Sequence, residues 1–331
     1  MQVRQLGAYG PLSAAIGLGC MGMSDFYGPA DRSESLATIQ ASIDAGVTLL
    51  DTGDFYGMGD NEILIAEALR SVPRDKVLLS VKFGSMREPS GQWSGSDNRP
   101  AAVKNFLSYT LKRLNVDYVD IYRPSRLDPN VPIEDTMGAI ADLIKAGYIR
   151  YAGLSEVGSE TIRRASTVCP IADLQIEYSL AVRQIESGIL TTCREVGIGI
   201  TAYGVLARGL ISGHWSRERL SDQDSRKLAT RFQAENIDHN LSQVEAVRAF
   251  AQARGITTAQ LAIAFVLKRD PSIVALVGAR TRQRLKESLG ALSVSLTDQE
   301  FTELEMLCPS GSFAGERYGS YALAHLDSER G

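Results

Sequence analysis

Short apolar runs alternate with amphipathic stretches along most of the chain. The runs fall at residues 16–20, 48–51, 77–81, 119–122, 151–155, 174–177, 198–202 and 273–277. Their length fits buried strands better than helices. Between them the period changes. Val103, Phe106, Leu107, Thr110, Leu111 and Leu114 share one helical face, and Ile133, Met137, Ile140 and Ile144 do the same before the stop at Ala146 and Gly147. Strands alternating with helices predict a parallel sheet, and eight such units predict a closed (β/α)8 barrel, the fold class being α/β. The alternative is an open doubly wound sheet. Its glycine fingerprint is absent, since GLGCMG at 17–22 has the wrong spacing.

Ahead of the barrel, VRQLGAYGPLSA alternates around a Gly-Pro turn and reads as a small hairpin that could plug the barrel bottom. Two stretches, 84–100 and roughly 204–239, read as long loops on the C-terminal face, where barrel active sites lie. Thr297 followed by Glu300 marks a capping box for a last helix near 297–308. The whole chain, 1–331, reads as one barrel domain with a C-terminal tail over the mouth.

Composition narrows the function. With 44% hydrophobic residues, 22% charged and a net charge of −4, the chain reads as an ordinary globular protein without a basic face for nucleic acid. No run reaches membrane-spanning length, and MQVRQLGAYG lacks the apolar core of a signal peptide. The four cysteines show no CxxC pairing and the three histidines no metal-ligand spacing. A cytoplasmic protein without metal is expected. The oligomeric state is left open.

The chemistry sits at strand ends. Asp51 closes the second strand, Tyr56 follows five residues later, and Lys82 closes the third. Adjacent strand tips would bring Asp51 beside Lys82, and an ammonium near a phenol would lower the Tyr56 pKa. That suits Tyr56 as a general acid towards a carbonyl oxygen. A structural ion pair at the rim beside an ordinary loop aromatic is the competing reading. In DIYRPSRLDP, at 120–129, Ser125 stands between Arg123 and Arg126; both arginines read as mostly structural or solvent-facing, with a substrate carboxylate contact as the lesser alternative.

These residues, in DTGDFYG and SVKFG, resemble the aldo-keto reductase superfamily. So do GLSE at 153–156, LQIEYSL at 174–180, AYGVLARGL at 202–210 and VGARTRQRLKESLGAL at 277–292. GCMGMSDFYGPAD at 19–31 and GERY at 315–318 are similar to the bacterial and fungal branch acting on aldehydes, ketones and pyridoxal-like substrates. The resemblance implies NADPH as cofactor and a small carbonyl compound as substrate. It implies Tyr56 as proton donor, Lys82 tuning it and Asp51 holding the lysine. It places Ser155, Glu156 and Gln175 at the nicotinamide carboxamide, Tyr203 stacked on the ring, and Gly22, Met23 and Asp51 beside the cofactor. Gly204, Leu206, Arg208 and Gly209 fall at the pyrophosphate; Gly278, Ala279, Arg280, Arg284, Glu287 and Ser288 fall at the far end, where crowded arginines favour a 2′-phosphate. Phe26, Tyr27, Phe55 and Trp93 are expected to line the substrate pocket.

The same resemblance puts a histidine where this chain has Ser125, so one member of an otherwise intact catalytic tetrad is replaced. A serine donates one hydrogen bond but carries no charge. The expected function is NADPH-dependent reduction of aldehydes or ketones. The alternatives are a changed substrate or reaction, an NADPH-binding regulatory or redox-sensing subunit with little turnover, and a barrel that binds metabolites without nucleotide.

Overall fold

The computed structural model describes every residue except Asp25, 217–223 and 330–331. An antiparallel hairpin, β1 (Val3–Gln5) and β2 (Leu12–Ala14), precedes the barrel. The first three barrel strands are β3 (Ile16–Gly19), β4 (Leu49–Gly53) and β5 (Leu78–Phe83). After a second hairpin, β6 (Ser85–Arg87) and β7 (Trp93–Ser96), come β8 (Val119–Pro124), β9 (Ile149–Ser155), β10 (Ile171–Glu177), β11 (Gly199–Tyr203) and β12 (Ile273–Gly278). The eight strands are parallel and run round the barrel in chain order, closing where β12 pairs with β3. All eight runs expected from the sequence are strands, so the fold is the (β/α)8 barrel.

The helices cover the outside: α1 (Arg32–Asp44), α2 (Asp60–Ala68), α3 (Pro100–Leu114), α4 (Ile133–Lys145), α5 (Ser159–Ser166), α6 (Ile189–Val196), α7 (Ala234–Gln252), α8 (Thr258–Arg269), α9 (Arg282–Leu289) and α10 (Asp298–Leu307), while the short α11 (Ser320–Ala324) lies in the tail at the barrel mouth. The faces foreseen for α3 and α4 are the buried ones: Val103, Leu107 and Leu114 on the first, Ile133, Met137 and Ile140 on the second. The capping box of α10 forms, with the Glu300 N–H donating to the Thr297 hydroxyl at 3.1 Å and the Thr297 N–H to Glu300 at 2.8 Å.

The two-residue period of each strand sorts its side chains. Leu50, Leu79, Val81, Tyr122, Leu154, Ile176 and Ala202 point outward into the core shared with the helices. Full burial of each large apolar side chain contributes roughly 1.5–3 kcal/mol. Leu49, Ile121, Val274 and Leu276 point inward and form a separate apolar layer with Leu6 of the first hairpin. That hairpin closes the barrel bottom as expected. The Arg4 guanidinium donates to the carbonyls of Leu267, Asp270 and Ile273, each at 2.7 Å. Gly7 packs so tightly that a Cβ there would lie 2.5 Å from backbone atoms of Gly197 and Gly199, and its φ of +65° disfavours a side chain in any case. One turn further along the strands, the inward positions turn polar: Asp51, Ser80, Arg123, Asp173, Gln175 and Thr201 are all buried.

The two long loops are more ordered than their composition implies. Residues 84–100 contain the β6–β7 hairpin. Of 204–239, the described part consists of 3₁₀ turns at Ala207–Ser212, Ser225–Leu228 and Thr230–Phe232, with α7 already begun at Ala234; the rest of that stretch lies outside the described residues. Asp224 bridges to Tyr27, and the Ser225 N–H donates to the Phe26 carbonyl at 2.9 Å. The loop after β11 is thereby strapped to the loop after β3, across the barrel mouth.

Candidate active site

β4, β5, β8, β10 and β11 deliver inward polar residues that meet inside the barrel. Asp51 is the hub. One carboxylate oxygen takes the Lys82 ammonium. The other accepts from the Ser80 hydroxyl at 2.7 Å, the Gln175 amide at 2.6 Å and, more weakly, Arg123 at 3.4 Å. Arg123 also donates to both oxygens of Asp173, at 2.7 and 3.0 Å, and Asp173 accepts a further bond from Thr201. The four charges alternate in sign and each has an opposite charge beside it, as buried charges must, although the Arg123 Nε–H finds no acceptor among the described residues. Arg123 is therefore not solvent-facing; it is fully buried inside the barrel.

Tyr56 enters on a tight turn after β4. The Asp54 N–H donates to the Lys82 carbonyl at 2.9 Å, and Asn61 ties the Thr52 hydroxyl, the Cys20 carbonyl and Ser24 together within 2.9 Å. Gly57 and Met58 both take left-handed backbone angles to make the turn. The Lys82 ammonium lies 5.1 Å from the centre of the Tyr56 ring. The expected lowering of the phenol pKa does not follow. Burial pushes it well above its ordinary value, Asp51 and Tyr318 add to the rise, and the cation that opposes it is Arg126. The Lys82 pKa is itself lowered by burial, against the pull of Asp51. Tyr56 is thus held as a neutral phenol.

A cavity of about 1260 Å³ opens at this end of the barrel. Asp51, Tyr56, Lys82 and Ser125 line it, with Phe26, Tyr27, Phe55 and Trp93. Phe55 packs edge-on against Tyr56 with ring centres 4.9 Å apart, and Trp93, carried by β7, closes the aromatic wall at 5.6 Å from Phe55. The same cavity runs past Gly22, Met23, Ser155, Gln175, Tyr203, Gly204, Leu206, Arg208 and Gly209 to Gly278, Ala279, Arg280, Arg284, Glu287 and Ser288. The Ser125 hydroxyl makes no hydrogen bond to the protein among the described residues, while its N–H donates to the Phe83 carbonyl at 2.8 Å.

Glu156 is the exception. Its carboxylate turns away from the cavity to the C-terminal tail and accepts from Arg317 at 2.9 and 2.6 Å, from Ser328 at 2.7 Å and from the Tyr203 hydroxyl at 2.7 Å. Burial would raise its pKa, but the Arg317 guanidinium outweighs that and holds it at about 2. Glu156 fastens the tail and has no oxygen free for a carboxamide. The exposed Arg282 likewise pairs with the half-buried Glu34, outside the cavity.

Three residues of the site were not foreseen. Arg126, read as structural or solvent-facing, lines the cavity beside Ser125. Tyr318 hangs into it from the tail, with its hydroxyl 2.7 Å from that of Tyr203 and its ring 3.9 Å from the Arg208 guanidinium. His214 pairs with Glu287 at 3.0 Å. Tyr318 had a signal in the GERY segment, and Arg126 one in its place next to Ser125. His214 had none.

The residues suit an extended dinucleotide. The inner faces of β3 and β12 end in Gly19 and Gly278, and a Cβ at Gly278 would meet nothing of the protein closer than 4.0 Å, so the space above it is open. Gln175 donates its amide N–H to Asp51, which leaves its side-chain oxygen able to accept from a carboxamide. Ala207, Arg208 and Gly209 take left-handed angles in succession, a strained backbone of the kind held at ligand sites. Arg280 and Arg284 bring positive charge to the far end.

Comparison with known proteins agrees with this geometry. The model of the aldo/keto reductase family matches residues 15–308. The chain is 38% identical over 321 residues to a probable aldo-keto reductase 1 of Glycine max, covering 96% of this chain and 92% of that one. Among solved structures it superposes on the glycerol dehydrogenase AKR11B4 from Gluconobacter oxydans with a TM-score of 0.84 at 26% identity, covering 92% and 94% of the two chains. It also superposes on the thermostable aldo-keto reductase Tm1743, solved with the inhibitor epalrestat, with a TM-score of 0.75 at 27% identity, covering 93% and 100%. The fold and cleft define an NAD(P)-dependent oxidoreductase on a barrel. The chain belongs to the aldo/keto reductase family, whose cofactor is NADPH.

Proposed function

We propose that the protein reduces aldehydes or ketones to alcohols with NADPH, with Tyr56 as the general acid. The observation that carries the reading is the neutral, buried Tyr56 phenol beside the Asp51–Lys82 pair, at the aromatic end of the cavity. When bound, the reduced nicotinamide supplies a hydride to the carbonyl carbon. The Tyr56 hydroxyl gives its proton to the carbonyl oxygen, so that one hydride and one proton convert C=O to an alcohol. The phenolate left behind lies near the Lys82 ammonium, whose position Asp51 fixes. The positive charge of Arg280 and Arg284 at the far end of the cavity supports a 2′-phosphate there and so NADPH. The four cysteines are all free and buried, which suits a reducing, cytoplasmic setting. Among the described residues no helix is long and apolar enough to cross a membrane.

Ser125 sets the expected speed. Loss of one preorganised, chargeable donor at the carbonyl oxygen costs about 3 kcal/mol of transition-state stabilisation, which slows the reaction without abolishing it. The test is loss of NADPH absorbance with a panel of aldehydes and ketones, with Tyr56→Phe as the control. Turnover that falls at least a hundredfold in the control is the expected result. Tyr56→Phe retaining full activity would overturn the role of Tyr56. The uncharged Ser125 also favours a second reading, an NADPH-binding regulatory subunit. It predicts cofactor binding by fluorescence titration but no turnover across the panel.

A further inference from the structure

Among the described residues, the cavity has six basic side chains on its wall, Lys82, Arg126, Arg208, Arg226, Arg280 and Arg284, but only two carboxylates, Asp51 and Glu287. Most of this charge is already answered. Lys82 is bound to Asp51, Arg226 to Asp224, and Arg284 to Glu287. Arg208 lies over Tyr318 and within 3.8 Å of Glu177. Arg280 sits at the opposite end from the aromatic wall, donating to the carbonyls of Tyr27, Gly28 and Pro29. Arg126 differs from all of these.

It is part-buried, next to Ser125, and among the described residues no carboxylate lies within ion-pair distance of it. A guanidinium has five N–H groups. Arg126 uses one on the Ser125 carbonyl at 2.6 Å and one, weakly, on the Tyr318 hydroxyl at 3.4 Å. The remaining ones have no protein acceptor among the described residues. A part-buried cation with unused donors on a ligand cavity is an anion site in waiting. The nearest carboxylate at that level, Glu156, is spent on Arg317 and the tail. Asp51 is saturated by Lys82, Ser80, Gln175 and Arg123. Among the described residues no unpaired carboxylate lines the substrate end to repel an anionic ligand, and the rings of Phe26, Phe55 and Trp93 offer an apolar wall for the rest of it.

We infer that Arg126 anchors a carboxylate on the substrate, so that the preferred substrates are oxo acids: aldehydes or ketones whose aryl or short apolar body carries a carboxylate. The inference rests on the carbonyl-reductase reading, with the carbonyl at Tyr56 and the carboxylate at Arg126. A bidentate guanidinium–carboxylate pair would also orient the substrate.

The experiment uses a matched pair, 4-formylbenzoate and its neutral methyl ester, with NADPH. The ratio of kcat/KM values, charged over neutral, is measured for the unmodified protein, Arg126→Gln and Arg126→Lys. A charge-assisted anchor predicts a ratio above one that falls roughly 10- to 100-fold in Arg126→Gln, mostly through KM, and is partly restored in Arg126→Lys. A ratio unchanged by Arg126→Gln, or equal losses in kcat for both substrates, would overturn the anchor and make Arg126 a stabiliser of the reacting oxygen instead. Titration calorimetry with 4-(hydroxymethyl)benzoate and NADP⁺ supplies a second readout that needs no turnover. Binding weakened by Arg126→Gln upholds the anchor even if neither aldehyde is reduced, in which case the reductase reading alone fails. Reduction of the neutral ester with no binding of the carboxylate overturns the anchor and leaves the reductase standing.

Discussion

Single residues decide whether the polar layer inside the barrel is tolerable. Arg123 carries the pairing of both Asp51 and Asp173, and it has no exposed surface. Removing it leaves Asp173 without a cation in the barrel interior. Arg123→Met is expected to cost roughly 3–5 kcal/mol of stability, read as a lower urea midpoint. The double change Arg123→Met with Asp173→Asn should recover much of that loss, since the stranded charge is then gone; no recovery would show that Arg123 acts through packing alone. The strand period already places Arg123 on the same face as Ile121, inside the barrel. What the sequence could not supply is the partner, 50 residues on in another strand. Arg126 lies beyond the strand end, where the two-residue period no longer tells inside from outside. Asp51, Tyr56 and Lys82 were legible because a charge or a phenol at the tip of an apolar run is conspicuous. The direction of the Tyr56 pKa was not, because burial, the dominant cause, is a property of the folded chain.

At the level of elements, the strands were readable because they are buried on both faces, which leaves near-continuous apolar runs. The β6–β7 hairpin was not, because neither of its faces is buried and no alternation marks it. It nevertheless shapes the site by presenting Trp93. The end of β12 offers a clean test of the cofactor cleft. Gly278 lines the cavity with open space at its Cβ position, and its φ is not in the left-handed region. Gly278→Val should therefore leave the unfolding midpoint within about 0.5 kcal/mol of the original. It is expected to weaken NADPH binding at least tenfold by fluorescence titration, because the new side chain occupies ligand space. Unchanged affinity would mean the dinucleotide does not cross β12.

Across the whole molecule, the tail turns a barrel with an open mouth into one with a partial cover. Arg317 holds it down through Glu156 and Glu177, and Tyr318 reaches the cavity from it. The sequence hinted at a cover, but the ion pairs that fasten it join residues 140 and 161 positions apart, beyond any local pattern. Because the Glu156 pKa is depressed in the folded state, the stability it contributes is fully present above its unfolded value, about 4.3, and is lost as pH falls towards 2. A shift of this size corresponds to about 3 kcal/mol. Glu156→Gln should flatten the fall of the urea midpoint between about pH 4.3 and 2. A fall as steep as in the unmodified protein would assign the acid sensitivity to other carboxylates.

The same fastening bears on how the protein is made. Synthesis runs from the N-terminus at roughly 5–20 residues per second, so the carboxylates of Glu156 and Glu177 emerge on the order of ten seconds or more before the guanidinium that neutralises them. Ring closure is also late, since β3 cannot pair with β12 until residue 278 is made. The nascent chain therefore carries an unclosed sheet edge until residue 278 is made, and Glu156 without its guanidinium until residue 317. A message truncated before Arg317 would encode a barrel with Glu156 still uncompensated, a ready target for quality control.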